Sequence, residues 1–257
     1  MSDAVRLEIA GGVALITLSR PDKLNSLDGA MVGLLGQFAD TIDADRSVRA
    51  VIITGTGKAF CAGGDIAAWG GLSPLEMGQF WARTGHRVFD KLARMKVPVI
   101  AAVNGHALGG GLELAVTADI RICERQSKLG LPETSLGMIP GWSGTQRLVS
   151  RLGGRAARRL VLGGETVTAE IAETLGIVDK VVEPGTALSE ARKLAERIIA
   201  RGPVANMVAK QLINAAEGED SAAVMEILAS CVVSYTDDVK EGVAAFRAKR
   251  TPHYKGQ

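Results

Sequence analysis

The sequence predicts an α/β fold: parallel strands with helices on their faces, followed by an all-helical C-terminal part. Three features lead there. Apolar runs of strand length at 48–54, 97–103 and 120–123 alternate with longer stretches of helical period. The runs are mostly apolar, as strands buried on both faces are. From Ala187 onward the pattern is almost wholly helical, which predicts a helical subdomain beginning near residues 190–200.

The elements follow in order. Val5, Leu7 and Ile9 alternate with Arg6 and Glu8. The pair Gly11-Gly12 and the run 13–18 then complete a β-hairpin. Asp28 caps a helix to about residue 43, with Met31, Leu34, Leu35, Phe38 and Ile42 on one stripe. The strand 48–54 ends at Gly55 and Gly57. Residues 75–95 are helical by period and stop before Pro98, which cannot continue a helix. A strand at 97–103, a helix at 108–117, a strand at 120–123 and a strand at 177–182, closed by Pro184, follow. Residues 203–217 and 221–249 are helical.

Composition narrows the function classes. A chain of 257 residues with 47% hydrophobic and 23% charged residues is an ordinary globular protein, one large domain or one with an appendage. With 30 basic against 28 acidic side chains there is no bulk field to draw nucleic acid or anionic membranes. Cys61, Cys123 and Cys231 are odd in number and lack CxxC spacing, so they read as reduced thiols in the cytoplasm. No signal-peptide pattern and no apolar run of membrane-spanning length is present.

The familiar glycine and nucleophile motifs fail one by one. Gly109-Gly110-Gly111 would need glycine at 114 for GxGxxG, where Leu114 stands. Gly57-Lys58 lacks the first glycine and the hydroxyl of a P-loop, and Gly141-Trp142-Ser143-Gly144-Thr145 misses GxSxG at its last position. His86, His106 and His253 show no metal spacing. Arg147, Arg151, Arg155 and Arg158 recur at nearly helical intervals, but Gly153-Gly154 interrupts any single helix and no aromatics interleave for base stacking.

Two segments instead place backbone amides just after buried strands: 59–66, Ala-Phe-Cys-Ala-Gly-Gly-Asp-Ile, and 104–113, Asn-Gly-His-Ala-Leu-Gly-Gly-Gly-Leu-Glu. Unpaired N–H groups aimed at one point stabilise a carbonyl oxygen gaining charge; the plainer reading is tight strand–helix turns. Glu113 lies three residues after Gly110 amid Leu112, Leu114, Ala115 and Val116. Glu133 follows Pro132 between apolar residues. An ionised carboxylate in such surroundings is costly without a task or a partner, and two of them suit proton transfer beside a carbonyl.

These segments, with 131–133 and 139–148 (Ile-Pro-Gly-Trp-Ser-Gly-Thr-Gln-Arg-Leu), resemble the enoyl-CoA hydratase/isomerase (crotonase) superfamily. The likeness runs from Arg20-Pro21 and Leu24-Asn25-Ser26-Leu27 to Phe246-Arg247-Ala248-Lys249-Arg250. It implies a crotonase-like spiral of ββα repeats over residues 1–195, carrying the active site. It also implies a helical C-terminal oligomerisation subdomain over 196–257 that builds a homotrimer or a dimer of trimers. The implied substrate is an acyl-CoA thioester of short or medium chain, with coenzyme A part of the substrate and no separate cofactor, metal, nucleic-acid or membrane partner. Carried over residue by residue, the oxyanion hole falls on the amides of Ala62 and Gly110. The backbone of Ala62, Gly63, Gly64, Asp65 and Ile66 lines the CoA site. Both glutamates typical of true hydratases are filled, by Glu113 and Glu133, which favours water addition over isomerisation or a non-catalytic CoA- or RNA-binding relative, with hydration of a branched or aromatic enoyl-CoA as an alternative. Trp142 reads either as a wall of the acyl pocket or as a core aromatic. Asp65 reads as a cap before a catalyst, and Cys61 as a packing residue. Lys23, Lys249 and Arg250 read as CoA-phosphate contacts or as surface charge.

Overall fold

A computed structural model describes residues 4–257. The hairpin forms from β1 (Val5–Ala10) and β2 (Val13–Leu18), antiparallel about Gly11 and Gly12, both at positive φ. Helix α1 (Gly29–Ala44) starts where Asp28 accepts the Met31 N–H at 2.9 Å. Then the chain repeats one move: a strand, a tight turn, a short second strand and a helix or helical turn. The first repeat has β3 (Ala50–Gly55), β4 (Ala59–Cys61) and three helical pieces: α2 (Ile66–Trp69), α3 (Pro74–Glu76) and α4 (Arg83–Ala93). The second has β5 (Val99–Val103), β6 (His106–Leu108) and α5 (Gly110–Thr117). The third has β7 (Ile120–Glu124), β8 (Lys128–Gly130), a 3₁₀ turn at Pro132–Leu136 and α6 (Gly144–Leu162). β9 (Thr166–Thr168), α7 (Ala169–Thr174), β10 (Lys180–Val182) and α8 (Ala187–Ile199) close the sequence of turns.

The first strand of each repeat joins one sheet, in order β1-β2-β3-β5-β7-β10, and the second joins another, in order β4-β6-β8-β9. Within each sheet the repeat strands pair in parallel, so each turn of chain advances both sheets by one strand. This is the crotonase spiral. Side chains alternate along β3: Val51 and Ile53 enter the main core, whereas Ala50 and Ile52 pack against Ala187, Ala191 and Ala195 of α8. Both faces of the six-stranded sheet are thus covered, which is why its central strands read as mostly apolar runs.

Several elements depart from the sequence-based expectation. The single helix over 75–95 is split by a π-helical turn at Met77–Ala82. The helix placed at 108–117 begins at Gly110, because residues 106–108 form a strand. Gly153, at φ +80°, kinks α6 where the glycine pair interrupts the helical pattern. The arginine series does not make a surface stripe: Arg147 is buried on Asp90 at 2.8 Å, and Arg151 Nη1 donates to the carbonyls of Val116, Thr117 and Ala118 at the end of α5. Helices α9 (Pro203–Ala216), α10 (Ser221–Ser234) and α11 (Asp237–Ala248) complete the chain. By contacts it forms two compact units, one up to Lys210 and one over Gln211–Gln257. Among the described residues no helix is long and apolar enough to cross a membrane.

Candidate active site

The second sheet delivers β4 and β6 side by side, and the chain leaving each one faces a cavity of about 530 Å³. Glu113 and Glu133 line it together with Gly64 and Gly110. Glycine is required where the two strand exits meet. A Cβ on Gly63, at φ +101°, would stand 2.9 Å from the Leu108 carbonyl oxygen, and one on Gly109 would stand 2.7 Å from Glu133 Oε1.

The amides of the first segment have definite partners, and they correct one expectation. The Ala62 N–H donates to the Leu24 carbonyl at 3.0 Å, so it is not available as an oxyanion donor. The Asp65 N–H donates to the Leu27 carbonyl at 2.8 Å, and the Gly63 N–H points at Cys61 Sγ at 3.4 Å. The left-handed turn at Gly63 breaks strand alternation, so the next peptide faces away from the Leu24–Leu27 segment. The Gly64 N–H has no acceptor among the described residues, and its nitrogen lies 3.4 Å from where a Cβ on Gly110 would be. On the other segment, the Gly109 N–H is taken by the Gly130 carbonyl, while Gly110 opens α5, where the first amides have no intrahelical partner. The structure therefore pairs Gly64, not Ala62, with Gly110.

Glu113 is 3% exposed, and its Oε1 accepts the N–H groups of Trp142 and Gly144, both at 2.7 Å. Burial pushes its carboxyl up to about 7; the Trp142 amide opposes that, and the charge of Glu133 adds to it. Both amides reach one oxygen because Ser143, between them, sits at φ +73°. A side chain is uncommon there. Ser143 is fixed by its hydroxyl, which lies 3.0 Å from His86 Nδ1 and donates to Asp90 Oδ1 at 3.1 Å. Glu133, on the 3₁₀ turn, is also raised by burial, and its Oε2 is buried without a partner. These loop amides carry no side-chain signature in the sequence; the succession Gly141 to Gly144 around a tryptophan was the only visible hint.

The remaining expected residues divide by role. Ala62, Gly63 and Ile66 line the cavity. The Asp65 carboxylate turns away from it, accepting from Arg20 at 2.8 Å and capping the Ala67 N–H at 3.0 Å, and the Arg20 bond holds it below the usual carboxylate range. Cys61 is buried with its thiol pushed up to about 12, so it is no nucleophile. Arg250 is paired with Glu241 through both terminal nitrogens.

Comparison with known proteins decides the family. The enoyl-CoA hydratase/isomerase family profile matches residues 8–257. The chain belongs to that family. It is 39% identical to the short-chain-enoyl-CoA hydratase of Clostridium acetobutylicum, over 96% of this chain and 95% of that one. It is 38% identical to the crotonyl-CoA hydratase of Syntrophomonas wolfei, over 96% of each. The crystal structure of an enoyl-CoA hydratase from Bacillus anthracis superposes with a TM-score of 0.81 at 36% identity, over 99% of this chain and all of that one. In this family setting the two glutamates, the facing glycine amides and the apolar cavity form one coherent site.

Proposed function

We propose that this protein is an enoyl-CoA hydratase, adding water across the 2,3 double bond of a 2-enoyl-CoA thioester to give the 3-hydroxyacyl-CoA. The observation that carries the reading is the convergence of a buried and a half-buried carboxyl, both of raised pKa, on a pair of unpaired amides in one largely apolar cavity.

In this reading the thioester carbonyl oxygen accepts from the N–H groups of Gly64 and Gly110. Attack of water at C3 moves electron density through C2 onto that oxygen, so these amides bind the enolate-like transition state better than the substrate. Glu113, whose Oε1 is held by Trp142 and Gly144, takes the proton from the attacking water. Glu133 delivers its proton to C2. Its uncompensated Oε2 suits the neutral, donating form, since burial outweighs the one backbone amide, its own, that favours the charge. One water is added, and the proton that Glu113 gains balances the one that Glu133 loses.

The same reading makes the protein a cytosolic homotrimer or dimer of trimers. Support comes from the unpaired thiols of Cys61, Cys123 and Cys231, and from the apolar side chains that α10 leaves exposed. The deciding experiment follows loss of the conjugated enoyl-thioester absorbance with crotonyl-CoA and identifies the product. Expected is 3-hydroxybutyryl-CoA, with Glu113→Gln and Glu133→Gln each slowing turnover by about 10²–10⁴-fold. Wild-type rates in both variants, or turnover of 3-enoyl-CoA alone, would overturn the proposal.

A further inference from the structure

The reaction cavity is not the only space in this part of the chain. A second one, of about 280 Å³, is lined by Val32, Leu72 and Phe80 among others. Trp81 and Trp142 line both spaces, so the two indoles are the partition between them. The partition is well braced. The Trp81 and Trp142 rings lie 5.1 Å apart, Phe89 packs edge-on to Trp142 at the same separation, and Trp142 Nε1 donates to the Trp81 carbonyl at 3.3 Å. Trp81 reaches this place because the π-helical turn at Met77–Ala82 widens the helix there, while its neighbour Phe80 stays 66% exposed on the far side.

Three glycines make room for these rings. A Cβ on Gly85 would fall 2.1 Å from Trp142 Nε1, one on Gly110 would fall 2.8 Å from Trp142 Cζ3, and one on Gly64 would fall 3.0 Å from Trp81 Cζ2. Two of these are the glycines whose amides face the reacting carbonyl in the reading above. The wall therefore stands within van der Waals reach of the reaction centre, with apolar space continuing behind it.

We propose that Trp142, braced by Trp81, is the chain-length stop of the acyl pocket: the protein selects short 2-enoyl-CoA thioesters, and the space behind the indoles is what a longer tail would need. This rests on the hydratase reading and goes beyond it by assigning a substrate class and the residue that sets it. A methylene that a pocket rejects changes kcat/KM by roughly 10–200-fold, so the effect is large enough to read.

The test compares kcat/KM for crotonyl-, 2-hexenoyl- and 2-decenoyl-CoA in the wild type and in Trp142→Ala, which keeps the backbone N–H that holds Glu113. Wild type is expected to decline along the series. In Trp142→Ala the decenoyl-to-crotonyl ratio should rise by about tenfold or more. Adding Ala68→Phe, which refills the rear space from an exposed position, should return the ratio towards wild type. If Trp142→Ala does not fold, Trp142→Leu takes its place and must shift the ratio in the same direction. An unchanged ratio in a folded variant that still hydrates crotonyl-CoA overturns the chain-length stop alone. A wild type that hydrates none of the three overturns the hydratase reading.

Discussion

At Glu113 the fold keeps an ionisable carboxyl where water scarcely reaches, and stability is the cost of that placement. Its pKa is about 7 in the folded chain against 4.5 for a free side chain, so folding favours the protonated form. That favourable contribution is complete below pH 4.5, fades as pH rises through about 7, and leaves the ionised group as a net burden above it. A gap of this size corresponds to about 3 kcal/mol. Glutamine keeps an oxygen for both loop amides without the charge. Glu113→Gln should therefore be more stable than wild type by about 2–3 kcal/mol at pH 8, with the difference shrinking towards pH 5 in urea titrations. Hydration should move oppositely, rising as pH climbs through about 7 and Glu113 becomes a base. A second prediction concerns the amides. An ester replacing the peptide N–H of Gly64 should cut kcat by about 10²–10³-fold. The same replacement at Ala62 should cost stability through the lost bond to Leu24 and leave kcat within severalfold. The glutamates were legible in the sequence because charge amid Leu112, Leu114 and Val116 is conspicuous. The choice between Ala62 and Gly64 was not, because it depends on the backbone angle of Gly63, and no side chain reports which way a peptide turns.

At the scale of elements, the site depends on how firmly the second strand of each repeat is tied to the first. Three-residue strands such as β4 and β8 cannot hold themselves; they need anchors from other parts of the chain. Asn25 is one. It is fully buried at φ +56°, accepts the Arg20 N–H at 2.8 Å, and donates to the carbonyls of Thr56 and Ala59 at 2.9 and 2.8 Å. Removing its amide orphans polar groups at the start of β4, just before the segment that presents Gly64. Asn25→Ala should lower stability by about 2–4 kcal/mol in urea unfolding, and Asn25→Asp, which keeps the acceptor but turns a buried carboxylate oxygen towards the Thr56 and Ala59 carbonyls, should lose at least as much at neutral pH. The long parallel strands were readable because both of their faces are apolar. Strands β4, β6, β8 and β9 were not, since three residues are too few to express a period of two. The last residue of β6, Leu108, was absorbed into the following helical pattern instead. Likewise the π-helical turn at Met77–Ala82 leaves no trace in a pattern that still reads as helical from 75 to 95.

At the scale of the molecule, the unit over Gln211–Gln257 leaves an unusual amount of apolar surface bare. Met225, Val232, Val233 and Phe246 are 53–85% exposed, and in α10 only Val224 is buried. A helix that is apolar nearly all round is normally enclosed, and nothing in the composition, with its near-balanced charge, offsets this exposure. Helical character beyond residue 200 was plain from the sequence. What covers those helices was not, because an apolar position reads the same whether it faces the chain's own core or a second copy. The two cases separate at Val232, which is 70% exposed in the single chain. If the chain works alone, Val232→Asp touches nothing and should change stability by no more than about 0.5 kcal/mol. If copies associate through α10, burying an unpaired carboxylate should dissociate them. Light scattering is expected to give about three or six times the mass of one chain for wild type and a lower mass for Val232→Asp, with a melting temperature that depends on protein concentration. A wild type that scatters as a single chain at every working concentration would sink the oligomer, and the bare helices would then need another covering.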